Sequence, residues 1–317
     1  MSAGSTATDR RPLVEVRDLA TRFDLKGGIL GGITGRVHAV EGVSFDIFPG
    51  ETLALVGESG CGKSTVARSI MQLDKPLFGS IRYDGNEMIG AGRATLAGFR
   101  REVQMVFQDP FSSLNPRMTI GQALTDPMRV HRIARRSALR ERAIALLAKV
   151  QLPPDHLERY PHAFSGGQRQ RICIARALAL DPRLLIADEA VASLDVTIQA
   201  QVINLLMDLQ RDMGIAILFI SHDMAVVERI AHRVAVMYLG EIVEIGDRRS
   251  VFGNPQHPYT RKLLATVPVA DPAQRQEGRE PMSDEIPSAV RAVDFVPVHL
   301  PMNVVSPTHF VRETSPA

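Results

Sequence analysis

Nine residues, Gly57–Glu58–Ser59–Gly60–Cys61–Gly62–Lys63–Ser64–Thr65, set three glycines ahead of a lysine and two hydroxyls. Glycine allows backbone that turns N–H groups inward around an anion, and a helix starting at this point adds positive potential. The spacing is that of the phosphate-cradling P-loop. In that arrangement Lys63 reaches the β and γ phosphates as a point charge, and Ser64 offers its hydroxyl to Mg²⁺. The surroundings agree: an apolar segment, 51–56, comes before, and a helical pattern, 63–73, comes after. A turn that merely contains glycine and lysine would not need this full pattern in this place.

A second cluster lies at 184–189, Leu-Leu-Ile-Ala-Asp-Glu, an apolar strand ending in two carboxylates. Near a phosphate loop, Asp188 suits the hydration shell of Mg²⁺, and Glu189 suits the general base that polarises an attacking water. Taken alone, the pair reads equally well as a solvated acidic turn. A third motif, Ser165–Gly166–Gly167–Gln168, opens a helical run through 180. Serine and glycines at a helix start form another set of backbone donors for an anion, or an ordinary N-cap. The chain thus has two phosphate-type turns, only one of which bears a lysine. The second turn is expected to serve a nucleotide held by another chain.

These motifs need a scaffold. Short apolar runs alternate with helical patterns, as in an α/β sheet covered by helices. Strands are expected at 13–16, 43–47, 51–56, 103–107, 184–187 and 215–220, with a closing hairpin over 233–244 that turns near Leu239–Gly240. The uninterrupted apolar character of 184–187 suits a parallel sheet buried on both faces. From about 112 to 180 the texture is helical and reads as an inserted subdomain. Its clearest helix, 137–150, aligns Leu139, Ala143, Leu146, Leu147 and Val150 on one face. Another amphipathic helix is expected over 198–213. Beyond about 252, recurring prolines predict a loosely structured extension with a short helix near 259–265.

Bulk properties exclude several classes. A chain of 317 residues holds one large domain and an appendage. The net charge of +2 is too small for a nucleic-acid binder. The two cysteines, Cys61 and Cys173, form no disulfide framework and have no metal-site spacing. Residues 1–11 have no apolar core, so no signal peptide is expected. No stretch approaches the ~20 apolar residues that span a bilayer, so any transport pore must come from other chains.

In its order of motifs the sequence resembles the nucleotide-binding subunits of ABC transporters, over about residues 13–246. The resemblance implies a P-loop NTPase fold of the ABC type, with an inserted helical subdomain. It also implies ATP and Mg²⁺ as cofactors. By position, Gln108 looks like the Q-loop glutamine at the metal and water. Ser165, Gly166, Gly167 and Gln168 look like the signature, Asp195 like the D-loop aspartate that works across a dimer, and His222 like the switch histidine at the γ-phosphate. Phe23 resembles the aromatic that stacks on adenine. Ala190 stands where the family usually has proline; no catalytic atom is lost by this.

Three segments resemble the oligopeptide and dipeptide importer branch: residues 107–116 (an extended Q-loop), 160–164, and Asn254–Pro255–Gln256–His257–Pro258–Tyr259–Thr260. The insertion at 26–36 resembles the second of the two ATPase subunits such importers carry. This implies a cassette over 1–252 and a branch-specific extension over 253–317. The implied partners are a paralogous ATPase chain, two permease subunits and, indirectly, a solute-binding protein, at the cytoplasmic face of the membrane. No cysteine follows Cys173, so no iron–sulfur cluster is expected in the tail. The same motor could serve nickel, glutathione, an opine or a sugar. DNA-repair and translation relatives fit poorly, because there is no heptad run, little charge and a single cassette. The arginine-rich stretch 131–142 reads as a solvated helix face or as a contact for membrane subunits or headgroups.

Overall fold

The structure, a computed structural model, describes residues 11–27, 32–265 and 289–314. Two long strands, β1 (Val14–Gly27) and β2 (Gly32–Ile47), form an antiparallel pair. After β3 (Thr52–Val56) come helix α1 (Lys63–Ile70), strands β4 (Phe78–Tyr83) and β5 (Asn86–Glu87), helix α2 (Arg93–Glu102) and strand β6 (Val103–Val106). The inserted helices are α3 (Pro110–Ser113), α4 (Ile120–Val130), α5 (Leu139–Lys149) and α6 (Gly166–Ala177). The sheet resumes with β7 (Leu184–Asp188), followed by α7 (Val196–Met213), β8 (Ala216–Ser221), α8 (Met224–Ile230), β9 (Arg233–Tyr238) and β10 (Glu241–Asp247). Helices α9 (Arg248–Gly253) and α10 (Pro258–Ala265) and strands β11 (Val290–Arg291), β12 (Met302–Ser306) and β13 (His309–Arg312) complete the described chain.

One sheet has the order β12-β13-β10-β9-β3-β8-β7-β6, and its strands from β9 to the β6 edge run parallel. The other, β11-β2-β1-β4-β5, is antiparallel. All residues of β3, β7 and β8 are buried, as their unbroken apolar runs require. Alternation then divides each strand between two cores. Leu53 and Leu55 join the core shared with β1, β2 and α1, while Ala54 and Val56 join the core beneath the helices. The parallel sheet is therefore a partition, with the antiparallel sheet, α1 and α2 on one face and the remaining helices on the other.

The expected face of α5 is the buried one: Leu139, Ala143, Leu146, Leu147 and Val150 all pack into the helical core. The β9–β10 turn takes Leu239 at φ 48° and Gly240 at φ 87°, the pair of positive φ angles that a two-residue hairpin demands.

The tail departs from the expected loose extension. The short helix is present as α10, but β13 adds to β10 and β12 adds to β13, so the chain returns to the main sheet at its edge. Pairing of β11 with β2 ties the tail to the second sheet as well. The expectation failed because β12 is short and three of its five residues are exposed, so no apolar alternation marks it. Among the described residues no helix is long and apolar enough to cross a membrane.

Candidate functional site

The C-terminal ends of β6, β7, β8 and β3 lie side by side, because these strands are neighbours and parallel. Ligands of parallel sheets bind at that edge. Each strand delivers one part of the site.

From β3 the chain enters Gly57 at φ 149°, then Gly60 at φ 83° and Gly62 at φ 108°. At two of these positions a side chain is excluded by space as well as by torsion. A Cβ on Gly57 would sit 2.2 Å from the Met237 carbonyl oxygen, and one on Gly62 would sit 2.0 Å from that of Ala39. The loop is therefore wedged between β9 and β2. Gly62 caps α1 without any side-chain cap, so the amides at the helix start are left for an incoming anion. Lys63 is 4% exposed, and its Nζ donates to the carbonyls of Gly57 and Glu58, both at 2.7 Å. Its ammonium is thus held at the mouth of the loop. Ser59, Gly60 and Ser64 are open to solvent or partly so, while Cys61 is buried, which pushes its thiol pKa up. Thr65 lies in the first turn of α1.

Asp188 closes β7. Its Oδ1 accepts the Ser64 hydroxyl at 2.9 Å across 124 positions of sequence. Burial pushes its pKa up, the Ser64 hydrogen bond opposes this, and the adjacent Glu189 adds to it. A buried carboxylate beside a hydroxyl is a hard-oxygen donor pair, which suits Mg²⁺. Among the described residues no group of three His, Cys, Asp or Glu side chains could hold a metal. Mg²⁺ is commonly held by one or two protein oxygens, keeping waters and taking further oxygens from substrate phosphates.

Glu189 follows at φ 46°, a strained left-handed backbone held by a hydrogen bond from its N–H to the Ile220 carbonyl of β8 at 3.0 Å. Its carboxylate is gripped from both sides. Gln108, two residues past β6, donates Nε2–H to Oε2 at 2.7 Å, and His222 Nδ1, one residue past β8, lies 3.5 Å from Oε1. The side chain of His222 is about half exposed, which leaves it open to substrate. Gln108, Glu189 and His222 meet only because β6, β7 and β8 are adjacent.

The remaining expected residues lie elsewhere. Ser165 caps α6 in a reciprocal box: its Oγ accepts from the Gln168 N–H at 3.4 Å, and its own N–H donates to Gln168 Oε1 at 3.1 Å. A Cβ on Gly166 would meet Leu194 Cδ2 at an ordinary 3.8 Å, whereas one on Gly167 would be 2.3 Å from Ile198 Cγ2. Asp195 caps α7, accepting from the Ile198 N–H at 3.0 Å. No hydrogen bond or ion pair among the described residues joins 165–168 or Asp195 to the P-loop. Phe23 sits on β1 opposite Val37 and is 41% exposed. One participant went unnoticed in the sequence: Tyr259 Oη accepts the Glu58 N–H at 2.9 Å. The His-Pro-Tyr run was visible there, but nothing local ties it to a loop 201 positions away.

Residues 40–192 match the ABC transporter family, and residues 243–291 match the oligopeptide/dipeptide transporter C-terminal region. The chain belongs to the ABC transporter family. It is 57% identical over 300 residues to the glutathione import ATP-binding protein GsiA of Pectobacterium atrosepticum, covering 95% of this chain and 48% of that one. To GsiA of Escherichia coli K12 it is 55% identical over 308 residues, covering 97% and 49%. The chain spans about half the length of these curated relatives. Among solved structures, cbiO1 of Clostridium perfringens, part of the ABC transporter complex cbiONQ, superposes with a TM-score of 0.65 at 28% identity over 77% of this chain and 91% of that one. A dimeric ATP-binding cassette solved after hydrolysis with ADP and Pi gives 0.66 at 27% identity over 74% and 99%. The ABC cassette accounts for the fold.

Proposed function

We propose that this chain is the ATP-binding and ATP-hydrolysing subunit of an importer of short peptides, glutathione included. One observation carries the ATPase assignment: the Glu189 carboxylate, clasped by Gln108 and His222, stands beside Lys63, Ser64 and Asp188. Lys63 and the amides at the start of α1 bind the phosphates, and Phe23 offers an exposed ring to the adenine. Ser64, Asp188 and Gln108 hold Mg²⁺, which neutralises phosphate charge when bound. Glu189 takes the proton of the attacking water, and His222 steadies the γ-phosphate. Gln108 and His222 contact both carboxylate oxygens of Glu189. Those contacts must loosen before Glu189 can reach a water.

The signature Ser165–Gln168 and the D-loop residue Asp195 act on a nucleotide held by a second, related cassette, which we place in a paralogous ATPase chain. Two permease subunits form the pore, a solute-binding protein delivers cargo, and this subunit works at the cytoplasmic face of the membrane. Closure follows from contacts that ATP makes only in the closed state. The branch-specific region at 243–291 and the relatives named for glutathione import support a peptide-like cargo.

The test is uptake of labelled glutathione, a dipeptide and an oligopeptide in cells carrying the wild-type chain or Lys63→Ala. Loss of uptake of one of the three in the mutant names the cargo. Unchanged uptake of all three in the mutant, with ATP hydrolysis by the purified wild-type complex intact, rejects the peptide class and keeps the motor.

A further inference from the structure

We propose that Tyr259 is a positioning residue of the nucleotide site, and that through it the C-terminal segment sets the geometry of the P-loop. This rests on the ATP-binding function proposed above. The Gly57 carbonyl and the Glu58 N–H belong to one planar peptide unit. Lys63 Nζ donates to its oxygen at 2.7 Å, and Tyr259 Oη accepts from its nitrogen at 2.9 Å. The unit is thus clamped between the phosphate-binding lysine and a tyrosine 201 positions away. It is also the first peptide after β3, where the chain turns through the positive φ of Gly57. Rotation of this unit would move a carbonyl that anchors the ammonium of Lys63.

Tyr259 is built to hold its place. It is 7% exposed, its ring packs on Tyr238 with centroids 4.3 Å apart, and burial pushes its pKa up, so the phenol stays neutral. A cavity of about 130 Å³, lined in part by Tyr259, Tyr238, Glu58 and His38, lies beside the ring. The hydroxyl contact is therefore a specific tie on a side that is not solidly packed. Behind it stands Glu244 of β10, fully buried. Its carboxylate accepts the backbone N–H groups of Gln256 and His257, each at 2.9 Å, and the Nε2–H of His309 on β13 at 2.7 Å. The His257 Nδ1 in turn accepts the Tyr259 N–H at 3.2 Å. One carboxylate thereby fixes the tail strand, the turn before α10 and, through that turn, the tyrosine.

The experiment uses the 317-residue chain and its assembled complex. Tyr259→Phe keeps the ring and removes the oxygen, leaving the Glu58 N–H without its acceptor. The expected result is an approximately fivefold rise in the Kd of a fluorescent ATP analogue and in KM for ATP, with kcat changed less than twofold. His309→Ala, which releases the tail from Glu244, should raise the same Kd, and the double variant should show less than the product of the two effects. A lower Tm for Tyr259→Phe with wild-type nucleotide affinity would confine the tyrosine to the core and overturn the proposal. Wild-type chain that binds no ATP would overturn the ATPase assignment itself, and this proposal with it.

Discussion

The two glycine-bearing turns of this chain look alike in sequence and differ in what they lack. The P-loop enters α1 through Gly62, which supplies no side-chain cap, and its lysine is folded back onto its own carbonyls. The signature enters α6 through Ser165, whose hydroxyl and amide are already engaged by Gln168. One turn is a receptor held open by neighbouring strands, with amides still to be satisfied. The other is a self-sufficient helix start that must exchange internal bonds for a ligand. Complementarity to an anion is therefore preformed in one turn, and in the other, under the proposed two-cassette arrangement, it requires giving up those internal bonds.

The sharpest way to break this contrast is to separate binding from chemistry. Glu189→Gln should lower phosphate release by about 10²-fold or more, while nucleotide binding by the chain persists. Turnover at the wild-type rate would remove Glu189 from the role of base. Next in size, Lys63→Ala should weaken binding of ATP to the isolated chain by roughly 10- to 150-fold, the range for a charged hydrogen-bond donor. Ser165→Ala should leave that affinity within about twofold and act only on hydrolysis by the assembled complex. Equal losses of single-chain affinity in both variants would mean the two turns do not differ as described.

A pair of glycine substitutions refines the contrast at the level of stability. Gly62→Ala meets the Ala39 carbonyl oxygen at a φ of 108° and should cost about 3 kcal/mol. Gly166→Ala meets Leu194 at an ordinary 3.8 Å and should change stability by less than about 0.5 kcal/mol. Thermal melts of the two variants decide it.

The smallest expected effect is that of pH on the P-loop's support. Burial holds the pKa of His257 below its usual value. The unfolded chain therefore takes up the proton more readily, and this stability, fully present above a pH of about 6.5, is lost as pH falls below that. Protection factors at Tyr259 and Glu58, which correct for the intrinsic slowing of amide exchange in acid, should fall on mild acidification before those at 165–168 do.

Much of the site was legible because its signals are local. The nine-residue P-loop, the strand ending in Asp188–Glu189 and the Ser165–Gln168 cap each carry their chemistry within one turn or strand. The same holds for the α5 stripe from Leu139 to Val150. What was not legible depends on distance in sequence. No local pattern in β12 reveals that residues 302–312 rejoin the sheet at β10, since its exposed valines show no buried face. Nothing around Tyr259 reveals its bond to Glu58.

By itself, then, the sequence determined the chemical parts: which residues are suited to phosphate, to metal and to the role of base, and which strands are buried. Strand order decided the assembly. Gln108, Glu189 and His222 converge because β6, β7 and β8 are hydrogen-bonded neighbours, and Gly57 and Gly62 must be glycine because Met237 and Ala39 press against them. Contacts between residues dozens to two hundred positions apart come from packing a sheet between two cores, and packing has no period that a linear pattern could display.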